Sequence, residues 1–230
     1  MKQTYPALLL GFAMLLAGCQ QEAAQPPAEK NASVPTAVEA SSVPASAASA
    51  PKSSSRKNGQ FFGTDVKKDD IGGDFTLTDG SGKPFAISSL KGKVVLLTFG
   101  YTNCPDVCPT SLLTYNDVVG QLGDQAKDVA VVFVSVDPER DTPDAVSKYA
   151  RTFNPDFIGL TATGDQSIPE VKQQYRVVSA KSQEQSEGIY LVDHTAGTYI
   201  LDKNGETVLF EKYGNTASEI ADDVKTLLAS

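Results

Sequence analysis

Two nearly continuous apolar runs constrain this chain more than any other feature. Residues 94–99 read Val-Val-Leu-Leu-Thr-Phe, and residues 129–136 read Val-Ala-Val-Val-Phe-Val-Ser-Val. A strand with one wet face alternates polar and apolar residues; these do not. Such runs fit strands buried on both faces, as in a parallel sheet covered by helices. Between them, residues 109–122 read as a helix, with Leu112, Leu113, Val119 and Leu122 available to one face. Residues 143–153 read as a second helix, 158–160 as a short strand and 168–175 as a third helix. Residues 198–202 and 207–210 flank Lys203-Asn204-Gly205-Glu206, and Asn-Gly between apolar runs is a strong hairpin signal. Residues 216–228 read as a terminal helix capped by Thr216 or Ser218. Ahead of the first run, Phe75-Thr76-Leu77-Thr78 alternates like a strand and Asp79-Gly80-Ser81-Gly82 is a turn. This order predicts an α/β fold with right-handed parallel crossovers, and the late hairpin adds an antiparallel edge.

The N-terminus has a different character. Lys2 precedes a ten-residue apolar run, 7–16, half the length that spans a bilayer. It suits the hydrophobic part of a signal peptide. The following Leu16-Ala17-Gly18-Cys19 resembles a bacterial lipobox. That resemblance implies cleavage before Cys19 and lipid on its thiol, so residues 1–18 are expected to be a signal and the domain to lie outside the cytoplasm, in the periplasm. Of the 40 positions from 21 to 60, 23 are Ala, Ser or Pro, and none is Phe, Tyr, Leu or Ile. Such a segment cannot offset its ordering entropy by burial. Residues 19–60 are therefore expected to form the lipidated end and a disordered tether reaching about 35 Å. Residues 61–230 are expected to form one domain. The formal charge of −8 argues against nucleic acid as a partner.

Scarcity then narrows the chemistry. The chain has one His, three Cys and two Met, Met1 and Met14, both within the expected signal. The expected mature chain keeps two thiols, Cys104 and Cys108, and one imidazole, His194. Sites built from several histidines or four cysteines are excluded. Cys104 follows the end of the first buried strand, and Cys108 stands at or near the start of the next helix. Backbone N–H groups and the helix dipole favour a thiolate there, so both cysteines are expected to be reactive or metal-binding. Four residues apart, their sulfurs can converge. The order of elements matches a thioredoxin-like fold with a central mixed sheet flanked by helices and an extra N-terminal β-hairpin. In proteins of that fold a proline loop faces the cysteines; His194 occupies the corresponding place. Two sulfurs and a nitrogen suit copper: thiolates favour Cu(I), and imidazole suits either oxidation state.

Four segments carry a fuller resemblance: Gly72-Gly73-Asp74-Phe75-Thr76-Leu77-Thr78-Asp79, Phe99-Gly100-Tyr101-Thr102-Asn103-Cys104-Pro105-Asp106-Val107-Cys108-Pro109-Thr110, Val134-Ser135-Val136-Asp137-Pro138-Glu139-Arg140-Asp141-Thr142-Pro143 and Val192-Asp193-His194-Thr195. Together they resemble the Sco/SenC family of copper-binding assembly factors for cytochrome c oxidase. The resemblance implies copper held by Cys104, Cys108 and His194 and delivered to the copper-bearing subunit of the oxidase. It also implies reduction of the cysteines at that subunit's copper centre; a periplasmic thiol reductant or another copper carrier is a further expected partner. Asn103 departs from the family, where relatives often carry His. Asp137, at the end of the second buried strand, is expected to orient a ligand or dock a partner, with a turn-capping role as the alternative. Arg140 and Asp141 are candidates for an exposed ion pair. The competing function is a thiol–disulfide reductase using the same cysteines, which leaves the histidine and the three-residue spacing unexplained. A thiol peroxidase fits less well, because Thr102 stands two residues before Cys104 rather than three.

Overall fold

A computed structural model describes residues 60–182, 186 and 189–230. The signal, Cys19 and nearly all of the expected tether lie outside the described residues. Among the described residues, no helix is long and apolar enough to cross a membrane.

The centre is a six-stranded mixed sheet in the order β1 (Thr64–Asp65), β10 (Thr207–Lys212), β9 (Gly197–Leu201), β4 (Val94–Gly100), β5 (Val129–Ser135) and β6 (Ile158–Leu160). The two apolar runs form β4 and β5, paired in parallel, and β6 extends the parallel part. Every residue of β4 and β5 is buried. Alternate side chains enter opposite layers, as the two-residue period requires. Val94 and Leu96 face a layer with α1 (Val107–Leu122), α2 (Pro143–Phe153) and α4 (Ala217–Leu228). Val95, Leu97 and Phe99 face a second layer with Leu77, Leu160 and Tyr175. Within α1 the buried face is Cys108, Leu112, Tyr115, Val118 and Leu122. Leu113, expected on it, is 56% exposed, because the 3.6-residue repeat carries it round to solvent.

The late hairpin, β9 (Gly197–Leu201) and β10 (Thr207–Lys212), lies inside the sheet rather than at its edge. β9 pairs antiparallel with β4, and the two-residue β1 (Thr64–Asp65) covers β10. The N-terminal hairpin, β2 (Thr76–Thr78) and β3 (Pro84–Ala86), forms its own two-stranded sheet. A second small sheet was not foreseen: β7 (Ser179–Lys181) pairs antiparallel with β8 (Val192–His194) and sets Ser179 opposite His194. It follows α3 (Ile168–Gln174).

Thr216, rather than Ser218, caps α4. Its hydroxyl accepts the Glu219 N–H at 3.3 Å, and the Glu219 carboxylate accepts the Thr216 N–H at 2.8 Å. Thr216→Ala removes the side-chain half of this reciprocal cap and is expected to cost about 1 kcal/mol. Thermal melting should register this as a fall of about 2–4 °C for a domain of this size.

Candidate metal centre

The carboxyl end of β4 feeds the cysteine loop. The Cys104 N–H closes a turn on the Tyr101 carbonyl at 3.2 Å, and α1 starts at Val107. Asp106 precedes the helix without a side-chain cap. The Cys104 sulfur instead accepts the Cys108 N–H at 3.4 Å, so it sits at the positive end of the helix. Cys104 is half-buried and touches both core layers, whereas Cys108 is 3% exposed. Gly100 makes room for the inner sulfur: a Cβ there would lie 2.6 Å from Cys108 Sγ and 2.7 Å from the Phe133 ring.

His194 arrives from β8. Its Nε2 stands 3.4 Å from Cys108 Sγ, and its Nδ1 is 3.1 Å from the Thr195 carbonyl. A carbonyl only accepts, so Nδ1 carries the proton and Nε2 turns a lone pair to the sulfurs. The Tyr101 ring meets the imidazole edge-on at 6.0 Å between centroids. The two sulfurs and one imidazole nitrogen all lie within 4.8 Å of one another. A single small ion can touch all three. A groove of about 210 Å³, lined in part by Cys104, Leu191 and His194, leads to the outer sulfur and the imidazole.

One expectation needs correction. The helix start was expected to favour a thiolate at both cysteines. Burial instead pushes the Cys108 thiol up, and its neighbour Cys104 adds to the shift. Desolvation outweighs the helix terminus at the inner sulfur. A bound soft cation reverses that balance by taking the proton's place.

Asp137 is 2% exposed and lies outside the trio of donors. Its carboxylate accepts from Tyr190 Oη at 2.8 Å and Arg140 Nε at 2.6 Å. Arg140 also donates to the Tyr190 carbonyl at 2.9 Å and stacks over the Tyr190 ring at 3.5 Å. Tyr190 leads into β8, so this cluster holds the segment that carries His194. The expected Arg140–Asp141 pair does not form; Arg140 pairs with Asp137, three residues back. Asp141 turns the other way, to Thr102 and Ser135. Asp106 and Asp193 are solvent-exposed. Sequence reasoning missed Tyr190 and the true partners of Arg140 and Asp141.

The chain is 42% identical over 127 residues to a SCO2-like protein of Rickettsia conorii, a match covering 55% of this chain and 62% of the relative. It thus spans less than two thirds of that relative's length. Among solved structures, Bradyrhizobium japonicum ScoI with copper bound is 44% identical with a TM-score of 0.63; the match covers 69% of this chain and 99% of that one. Arabidopsis thaliana ScoI with copper bound is 36% identical, with a TM-score of 0.64, covering 70% and 99%. The thioredoxin-like arrangement expected from the sequence is the one these neighbours share. The family model described as SCO1/SenC matches residues 63–229, the span that holds both cysteines and the histidine, and the chain belongs to that family.

Proposed function

We propose that this protein is a copper carrier that loads copper on Cys104, Cys108 and His194 and delivers it to the copper-bearing subunit of cytochrome c oxidase. The observation that carries this reading is the convergence of two sulfurs and a lone-pair-bearing imidazole nitrogen within 4.8 Å, one half-buried and one wholly buried sulfur among them. Two thiolates and one imidazole make a soft three-donor set that suits Cu(I), and Cu(II) with one more oxygen ligand. Structural zinc takes four protein ligands, one more than this trio supplies. Copper is the cargo, so the carrier needs no turnover chemistry of its own. In this reading Asp137 orients His194 through Arg140 and Tyr190. Cleavage before Cys19 and lipid on its thiol anchor the mature chain to a membrane, with residues 19–60 as tether and 61–230 as the extracytoplasmic, periplasmic domain.

A second role has its own support: the half-buried Cys104 sulfur beside Cys108 at a helix start is an arrangement for thiol–disulfide exchange. The two roles are compatible, because a disulfide has no thiolate to offer copper and a reductant must act before loading. The test is copper stoichiometry against thiol state. The reduced protein is expected to bind one Cu(I) per chain under competition with a chelator, and the disulfide form none. Equal binding by both forms rules out the cysteines as ligands.

A further inference from the structure

We propose that Asp141 is the positioning residue of the thiol pair: it sets the distance between the two sulfurs by clamping the cysteine loop to the end of β5. The inference rests on Cys104 and Cys108 acting as a pair, whatever the pair's cargo. Asp141 is 1% exposed. Its Oδ2 accepts the Thr102 N–H at 2.9 Å and the Ser135 hydroxyl at 2.6 Å, and its Oδ1 accepts the Thr102 hydroxyl at 2.6 Å. Its own N–H bonds the Asp137 carbonyl at 3.0 Å, which fixes the turn from which it reaches. Three donors from two separate segments thus converge on one carboxylate. A buried carboxylate is costly, and it is tolerated where donors converge on it in this way.

The reach and the two polar atoms of this side chain make the clamp. A carboxylate offers two accepting oxygens, whereas an asparagine offers one and turns an NH₂ toward the other donor. The hydroxyls of Thr102 and Ser135 can rotate; the Thr102 backbone N–H cannot change its role. Asparagine with its oxygen toward the Thr102 N–H keeps all three contacts, its NH₂ donating to the Thr102 hydroxyl, whereas alanine removes all three.

Thr102 stands two residues before Cys104, and the next turn, Cys104 N–H to the Tyr101 carbonyl, closes around it. Fixing Thr102 therefore fixes the direction in which Cys104 leaves β4. Cys108 is held separately, inside α1 and against Gly100 and Phe133. Asp141 is the link that ties the loop bearing Cys104 to the end of β5. It holds the sulfurs at a separation that admits an ion, and disulfide closure must draw them to about 2.05 Å against that restraint.

Two measurements on the reduced, metal-free full chain in detergent test this. The first is equilibrium with a glutathione couple, in which the protein dithiol closes to a disulfide as one glutathione disulfide becomes two thiols. Asp141→Ala is expected to move that equilibrium about tenfold toward the protein disulfide, about 30 mV. The second is Cu(I) affinity by chelator competition, expected to fall about 10–100-fold, the usual effect of losing a partner that orients a ligand. Far-UV circular dichroism establishes that the variant is folded. If it is not, Thr102→Val, which removes one hydroxyl donor and keeps the backbone N–H, is expected to shift both quantities the same way by less. A folded variant with the wild-type glutathione equilibrium overturns the proposal. A shifted equilibrium in a protein that binds no copper at all upholds Asp141 as the clamp and overturns the copper reading instead.

Discussion

Replacing His194 with alanine is expected to lower Cu(II) affinity by about a thousandfold, on the order of 4 kcal/mol, and to abolish the thiolate-to-copper charge-transfer band in its native form. The argument is geometric. Nε2 stands 3.4 Å from Cys108 Sγ with its lone pair turned inward, because Nδ1 is engaged by the Thr195 carbonyl. Among the described residues no other imidazole exists to replace it, and Cys104, Cys108 and His194 are the only donors grouped in this way. Cu(II) needs the nitrogen more than Cu(I) does, since two thiolates alone already suit the softer ion. Cu(I) affinity is therefore expected to fall less, by about 10–100-fold. Thiol–disulfide exchange by Cys104 and Cys108 is expected to survive, because the imidazole is only half-buried and both cysteines are held by β4 and α1. Titrations of wild type and variant with both copper oxidation states, beside a glutathione assay, separate these effects. An unchanged charge-transfer band and affinity in the variant would remove His194 from the ligand set and leave a dithiol protein.

The parts of the molecule that were legible in advance are those whose cause is local. β4 and β5 announce themselves because burial on both faces leaves little room for polar side chains. The β9–β10 hairpin follows from its Asn-Gly turn, where Gly205 adopts φ +86°. Cys104 and Cys108 stand out by rarity and by their place between a buried strand and a helix. The β7–β8 sheet was not legible: Ser179-Ala180-Lys181 is short and largely exposed, and only tertiary pairing makes it a strand. The role of Asp141 was hidden for a related reason. Its partner Thr102 is 39 positions away, while its neighbour Arg140 invited a pairing that the turn geometry gives to Asp137. Helix periodicity, misjudged at Leu113, is corrected by Tyr115 and Val118, which fill the face that Leu113 leaves.

Stability should fall as pH rises from about 5 to about 8, and Glu211→Gln should remove that fall. Glu211 is 1% exposed, on β10, where β1 and α4 meet. Gly63 lies so close that a Cβ there would stand 2.4 Å from Glu211 Oε1. Asn215 donates to Oε2, while Oε1 has no donor of its own as long as Glu211 is ionised. Its acidic neighbours are Asp223 and Glu219, both on α4. Asp223 already accepts the N–H groups of Phe62 at 2.9 Å and Gly63 at 2.8 Å, fastening the segment that leads into β1. Burial, then the hydrogen bond to Asp223, pushes Glu211 up from the ordinary 4.5 to about 8, so at neutral pH it stays protonated and donates to Asp223. The unfolded chain loses that proton near pH 4.5 and the folded chain only near pH 8. Between those values unfolding releases a proton, and rising pH weakens the fold by up to about 1.4 kcal/mol per unit. The contribution is fully present below the unfolded value and is lost above the folded one. Glutamine keeps both hydrogen bonds, accepting from Asn215 and donating to Asp223, and never ionises. Melting curves of the metal-free proteins at pH 5, 7 and 9 are expected to coincide at pH 5 and diverge upward, with the variant more stable at pH 9 by a few kcal/mol, about 2–4 °C for each. A constant offset at all three pH values would mean that Glu211 does not titrate in this range. With divergence, the weakened joint is the one between Asp223, Phe62 and Gly63, where the chain enters the sheet on its way to the cysteine loop.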